Sequence, residues 1–309
     1  MGELFSLPDV ISVMDMSWQR SCALATSSFS LVVQDVKSNG AISLKNLDNQ
    51  TGRLHVIQMD VSNQEEVNNA LQYVKKHLPE NGLWGIVNNA DESSCPGFLE
   101  WSPIENYEKT MAVNLFGAIR VTNSFLPLIR KSQGRIVNVS SLLSRAPSPF
   151  NGPYAIAKSA IDSYSAILRA EMKRFNVQVV VVDPGSLAEG ANFNSAKREF
   201  TRTIRRTWDL LDDGLRLDYG QTYVEKQIEI GQMSMELAET DIGSVVEAMV
   251  KAVSQLHPKD RYFVASLAEK CVAYGMQYLP LWLTDRLLPT MEAQTYLSYL
   301  SYLEPFILI

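Results

Sequence analysis

Short, nearly all-apolar runs rich in valine and isoleucine recur along the chain, separated by longer stretches whose apolar positions return every three or four residues. The runs are "VISVM" (10–14), "SLVVQDV" (30–36), "RLHVIQMDV" (53–61), "LWGIVNNA" (83–90), "GRIVNVSS" (134–141), "VQVVVVD" (177–183) and "RYFVAS" (261–266). Being apolar on both faces, they predict strands covered by helices on either side. The helical stretches cover 63–77 behind a cap at Ser62, then 103–132, 154–175, and 242–256 behind Thr240 and Asp241. Such alternation predicts an α/β chain with a Rossmann-type, doubly wound parallel sheet of about seven strands and helices on both faces. That domain is expected to occupy residues 1–266.

Two segments depart from the alternation. Residues 189–239 are polar and helical in pattern, and they follow the sixth strand, where a long connection is expected to form a lid over a ligand crevice. The basic run "KREFTRTIRRTW" (197–208) inside it fits a solvated helix face or a contact with an anionic group. Residues 267–309 form an apolar C-terminal extension carrying "YGMQYLPLWLTDRLLP" and "YLSYLSYLEPFILI". Core packing, a homodimer seam and peripheral membrane contact all fit that composition.

Composition then removes several function classes. With 28 Lys and Arg against 34 Asp and Glu, the net charge of −6 argues against a nucleic-acid partner, which needs a basic surface. Cys22, Cys95 and Cys271 lie far apart, and His55, His77 and His257 do not pair at ligand spacing, so neither a disulfide framework nor a metal site is expected. No uninterrupted apolar run reaches the ~18 residues of a spanning helix, and no basic segment followed by an apolar one opens the chain.

The chemistry concentrates in "NVSSLLSRAPSPFNGPYAIAK" (138–158). Pro153 suits the first turn of a helix, and Tyr154 and Lys158 then share one face at i and i+4. Ile156, Ala160, Ile161, Tyr164, Ile167 and Leu168 supply an apolar stripe for packing. A tyrosine with its usual pKa near 10 is a poor base at neutral pH, but a nearby ammonium and a helix N-terminus favour the phenolate. Ser141, at the end of the fifth strand, is placed to hold the same substrate oxygen. Together they make an acid/base pair suited to carbonyl–alcohol interconversion.

These residues resemble the active-site segment of the short-chain dehydrogenases/reductases, in the branch of retinol, hydroxysteroid and D-β-hydroxybutyrate dehydrogenases. Further similar segments are "LHVIQMDVS" (54–62), "GIVNNA" (85–90), "MAVNLFGAIRVT" (111–122) and "VVVDPGS" (180–186). The resemblance implies that Tyr154 is the general acid/base and that Lys158 lowers its pKa and holds the nicotinamide ribose. It implies that Ser141 orients the substrate oxygen and that Asn114 holds a proton-relaying water. Asp60, Val61, Asn88, Ala90, Pro184 and Gly185 are the implied cofactor contacts, with NAD or NADP as cofactor. Asp35, near the end of strand two, is the candidate ribose ligand and favours NAD by repelling a 2′-phosphate. The implied substrate is a small lipophilic alcohol or ketone (steroid, retinoid or 3-hydroxy acid). An intracellular location, cytoplasmic, at the endoplasmic reticulum surface or mitochondrial, is implied with it.

Three departures from the family pattern fall on the cofactor half. Where the family has a glycine-rich turn, "VISVMDMSWQRSCALA" (10–25) puts Asp15, Gln19 and Ser21 at the glycine positions. Asp91 replaces a glycine in "NNAD", and Glu189 replaces a threonine in "PGSLAE". A carboxylate beside a dianionic pyrophosphate is unfavourable. Two readings therefore stand: an active oxidoreductase, and a non-enzymatic relative that binds or scaffolds.

Overall fold

A computed structural model describes residues 11–15, 29–33, 54–78, 82–92, 97–147, 150–185, 193–237 and 243–290. Seven strands form a single sheet in the order β3-β2-β1-β4-β5-β6-β7. They are β1 (Ile11–Asp15), β2 (Phe29–Val33), β3 (Leu54–Gln58), β4 (Leu83–Asn88), β5 (Arg135–Val139), β6 (Gln178–Pro184) and β7 (Arg261–Val264). Strands β2 and β3 pair in parallel, as do β4 through β7.

The first strand corrects the expectation of an all-parallel sheet. β1 runs antiparallel to both neighbours, with Ser12 beside Val87 and Asp15 beside Leu83. Its carboxyl end therefore lies at the start of β4, on the opposite edge of the sheet from the carboxyl ends of the parallel strands. An antiparallel neighbour needs no crossover helix, whereas a parallel one needs a connection of a dozen or more residues.

The described helices cover both faces. Helix α1 (Gln64–His77) starts at Asn63, whose side chain accepts from the backbone of Glu65 and Glu66, so the cap is Asn63 rather than Ser62. Ser62 instead donates its N–H and hydroxyl to Asp60 Oδ1, both at 2.7 Å. Glu65 and Glu66 in the first turn and Lys75, Lys76 and His77 in the last complement the helix dipole. Helices α2 (Ile104–Met111) and α3 (Ala118–Ser132) are joined by a π-helical turn, Ala112–Gly117. The composite 104–132 is long enough to cross a membrane, and an 18-residue window within it has a mean hydropathy of 1.3. Here Val121, Phe125 and Ile129 are buried in the core, so it serves as a core helix.

Helix α4 (Gly152–Met172) has Pro153 in its first turn and buries Ala155, Lys158, Ile161, Ser165, Leu168 and Met172. The stripe expected from the sequence is rotated accordingly: Ile161 and Leu168 are buried, but Ile156 and Ile167 are 45% and 61% exposed. Strand β6 explains its run of valines, because Val179 through Val182 are all buried between two layers. Val179 joins Ile136, Phe125 and Leu168 on one face, while Val180 and Val182 join Val137 and helix α8 (Gly243–Ser254) on the other.

Between β6 and α8 lie α5 (Phe193–Asp209), α6 (Asp213–Tyr219) and α7 (Gln221–Leu237). Ile204, Trp208, Val224 and Ile228 from this insertion close around Trp101, so it folds back onto the segment after β4. Helix α9 (Leu267–Tyr278) opens with a Ser266–Glu269 capping box and buries Ala273 against Leu142 and Ala146. Helix α10 (Leu281–Thr290) follows, with Leu281 and Trp282 exposed.

A buried ion cluster ties β6, β7 and α4 together. Asp183 is fully buried and, with Asp162, accepts from Arg261, while Arg145 Nε lies 3.8 Å from Asp183. Burial pushes the Asp183 carboxyl up to about 6 against the pull of Arg261. Breaking a buried pair leaves charge uncompensated, so Asp183→Ala is expected to cost about 3 kcal/mol in urea unfolding. A loss below about 1 kcal/mol would show that the cluster contributes little.

Candidate active site

Four elements converge where the parallel strands end. β4 delivers Asn88 and then Ala90 and Asp91; β5 delivers Ser140 and Ser141; the π-helical turn delivers Asn114; and the first turns of α4 deliver Tyr154 and Lys158. A buried polar strut holds the frame. Asn88 Nδ2 donates to Thr122 Oγ1 at 3.0 Å and to Asn138 Oδ1 at 2.7 Å, and Asn138 Nδ2 donates to Ser165 Oγ at 2.8 Å. The ladder continues past β5, with the Ser140 N–H donating to Val182 O at 2.8 Å, and Ser140 Oγ donates to Lys158 O at 3.2 Å. β5 and α4 are thus fastened next to the reactive side chains.

Ser141 caps the short 3-10 helix Leu142–Ser144, its hydroxyl accepting from the Leu143 N–H at 3.2 Å, and it lies near enough to the Tyr154 hydroxyl to favour the phenolate. Lys158 is 2% exposed and donates to Val139 O at 3.1 Å, with its ammonium 5.3 Å from the centre of the Tyr154 ring. Ser141, Tyr154 and Lys158 are therefore brought together.

Asp91 stands among them. Tyr154 donates its hydroxyl proton to Asp91 Oδ2 at 2.9 Å, and Lys158 Nζ lies 3.0 Å from Asp91 Oδ1. One carboxylate therefore bridges both side chains, and this reverses the expected electrostatics. Tyr154 keeps part of its ring accessible, but its hydroxyl sits in an interior environment, and that burial raises its pKa well above the ordinary value. The charge of Asp91 and the hydrogen bond to it raise it further, opposed by the influence of the Ser141 hydroxyl. The expected lowering by Lys158 is offset because the ammonium already faces a carboxylate.

Asn114 is 4% exposed and engages the loop rather than the tyrosine. Its Oδ1 accepts from the Glu92 N–H at 2.7 Å and its Nδ2 donates to Glu92 O at 3.1 Å, while the Glu92 carboxylate pairs with Lys109 at 2.5 Å.

The expected cofactor contacts divide. Asp60 lies in the turn after β3, where its carboxylate holds Ser62. Val61 is buried against Gly117, Asn88 belongs to the buried strut, and Ala90 packs at the edge of the core. Pro184 ends β6, and Gly185 donates to Val264 O at 2.7 Å with the Glu269 carboxylate packed close beside it. Asp35 and Glu189 lie outside the described residues, as do Gln19 and Ser21. The buried cation of Lys158, with Tyr154 and Ser141, fits a ribose and a reacting oxygen at one end of a nicotinamide dinucleotide. The pyrophosphate end departs from the family pattern, because β1 is antiparallel to β4 and its carboxyl end lies at the start of that strand, away from the carboxyl ends of the parallel strands. Among the described residues, no three His, Cys, Asp or Glu side chains gather to hold a metal ion.

Sequence reasoning marked Asp91 as a hindrance to the cofactor but missed its two partners, and it missed the Asn88–Asn138–Ser165 strut. The available signal was that Asn88, Asp91 and Asn138 lie at or just past the carboxyl ends of β4 and β5.

Residues 20–199 match the short chain dehydrogenase family, to which the chain therefore belongs. It is 38% identical over 230 residues to the mitochondrial D-beta-hydroxybutyrate dehydrogenase of Mus musculus, covering 74% of this chain and 66% of that protein. It is 35% identical over 249 residues to Retinol dehydrogenase 16 of Mus musculus, covering 81% and 76%. It is also 35% identical over 246 residues to the 17-beta-hydroxysteroid dehydrogenase type 6 of Bos taurus, covering 78% and 75%. A short chain dehydrogenase from Burkholderia cenocepacia, solved in complex with NADP, superposes with a TM-score of 0.57 at 20% identity, covering 83% of this chain and 84% of that one. The aligned part thus spans just under two thirds of the length of the hydroxybutyrate relative.

Gly117 ends the turn that carries Asn114, and a Cβ there would lie 2.5 Å from Val61 Cγ2, a buried neighbour with nowhere to go. Gly117→Ala is expected to destabilise by about 1–3 kcal/mol through overpacking, measured by thermal or urea unfolding. An unchanged stability would mean that the turn after β3 and the π-helical turn are not packed this closely.

Proposed function

We propose that this chain is a nicotinamide-dependent oxidoreductase that interconverts a lipophilic secondary alcohol and its ketone. The observation that carries the reading is the convergence of Ser141, Tyr154 and Lys158 at the carboxyl ends of β4 and β5, with Asn114 alongside. Family membership supports it, and so do the names of relatives that act on hydroxybutyrate, retinol and hydroxysteroids.

In this reading Ser141 donates a hydrogen bond to the substrate oxygen. Tyr154 gives its phenolic proton to the carbonyl oxygen in reduction, and takes the hydroxyl proton in oxidation. Lys158 holds the ribose hydroxyls and favours the phenolate when its ammonium is turned to Tyr154. The insertion of α5, α6 and α7 covers the site and excludes water. When bound, a nicotinamide dinucleotide supplies or accepts the hydride. An intracellular location accompanies the reading.

A second reading, a relative that binds or scaffolds without turnover, is favoured by Asp91 on both reactive side chains and by the reversed β1. The two are separated by assaying steroid, retinoid and 3-hydroxy acid alcohols with NAD and NADP. On the oxidoreductase reading, one class is turned over and Tyr154→Phe lowers kcat by at least ~100-fold with an unchanged circular dichroism spectrum. Equal turnover by the Phe variant would remove Tyr154 from the mechanism, and no turnover with any substrate favours the second reading.

A further inference from the structure

The short chain dehydrogenase reading above needs a tyrosine hydroxyl available to a substrate, and in this chain it is already engaged. We propose that Asp91 is an internal latch: its carboxylate occupies the space between Tyr154 and Lys158 that substrate oxygen and ribose must enter, and holds the acid/base pair in a closed state. This inference rests on the dehydrogenase reading for its consequence, though not for its test.

Three observations carry it. First, the contact is two-pronged, with the two oxygens of one carboxylate 2.9 Å from the Tyr154 hydroxyl and 3.0 Å from Lys158 Nζ. A phenol has a single proton to donate, so while Asp91 accepts it no substrate carbonyl receives it. Second, the segment bearing Asp91 is fastened on both sides. Asn88 is bonded to Thr122 and Asn138 before it, and Glu92 is bonded to Asn114 and paired with Lys109 after it. The Asp91 side chain keeps 30% of its surface exposed, but its backbone is held on course for the site. Third, the buried Lys158 ammonium has Asp91 as its carboxylate partner and Val139 O as its other acceptor, so burying that charge depends on the latch.

Asn114 takes a defined part in this arrangement. By bonding both the N–H and the carbonyl of Glu92, it holds the next residue along from Asp91 and acts as a positioning residue for the latch.

The experiment follows the phenol itself and requires neither turnover nor a cofactor. The full chain is labelled with tyrosine carrying carbon-13 at the ring carbon bonded to oxygen, and the Tyr154 resonance is assigned from its absence in Tyr154→Phe. Spectra are recorded across the alkaline range in which the wild type stays folded. Asp91→Asn keeps the shape and removes the charge, and Asp91→Gly removes the side chain; either suffices if the other does not fold.

In the wild type the Tyr154 resonance should remain that of a protonated phenol throughout. In the Asp91 variants it should move to the phenolate position at least one pH unit earlier, a tenfold or greater drop in proton affinity. The same midpoint in wild type and variants, or no titration in any of them, overturns the latch. A latch supported while neither the wild type nor Asp91→Gly turns over any of the alcohol classes with NAD or NADP would leave the inference standing and the functional reading refuted.

Discussion

Two contacts made by one carboxylate, Asp91 to the Tyr154 hydroxyl and to the Lys158 ammonium, determine what the rest of the structure can do. They satisfy a charge buried at the base of α4, which would otherwise be costly to keep ionised in the interior. They also tie the end of β4 to α4 across the crevice in which a dehydrogenase works. The contacts that stabilise the site therefore also occupy it. A residue with no side chain at position 91 would leave Lys158 free to act on Tyr154.

The surrounding architecture serves this pairing in layers. The apolar faces of β4, β5 and β6 fix the sheet, and the Asn88–Asn138–Ser165 strut fixes α4 against the strand ends. The π-helical turn brings Asn114 to Glu92, and the ion cluster of Arg261, Asp183 and Asp162 locks β6 and β7 to the middle of α4. On the far side of the crevice the order is different. Strand β1 lies between β2 and β4 but runs antiparallel to both, so its carboxyl end lies at the start of β4. Ser141, Tyr154 and Lys158 are brought together at one end of the crevice, while the sequence between β1 and β2 carries none of the glycines of the family pattern.

Much of this was legible in the sequence. The strand positions follow from apolar runs, and the Ser141, Tyr154 and Lys158 grouping follows from a strand end and an i, i+4 pair in a first helical turn. What was illegible has physical causes. An apolar strand carries the same residues whichever way it runs, so the direction of β1 leaves no trace in "VISVM". The stripe on α4 was misaligned because Lys158 and Ser165, polar by type, lie on its buried side, where a carboxylate and an asparagine satisfy them. Asp91 was visible as a charge in the wrong place, but its partners lie 63 residues away in one case and beyond a helix turn from that in the other. Only the folded chain brings them together.

The most direct measurement is a calorimetric titration of the wild type and Asp91→Gly with NADH and NADPH under one set of conditions. If Asp91 closes an otherwise competent site, the glycine variant binds at least one of the two at least ten times more tightly than the wild type, and the wild type binds weakly or not at all. Equal affinities, or micromolar binding by the wild type with no gain on removing the carboxylate, would contradict a site closed by its own side chain.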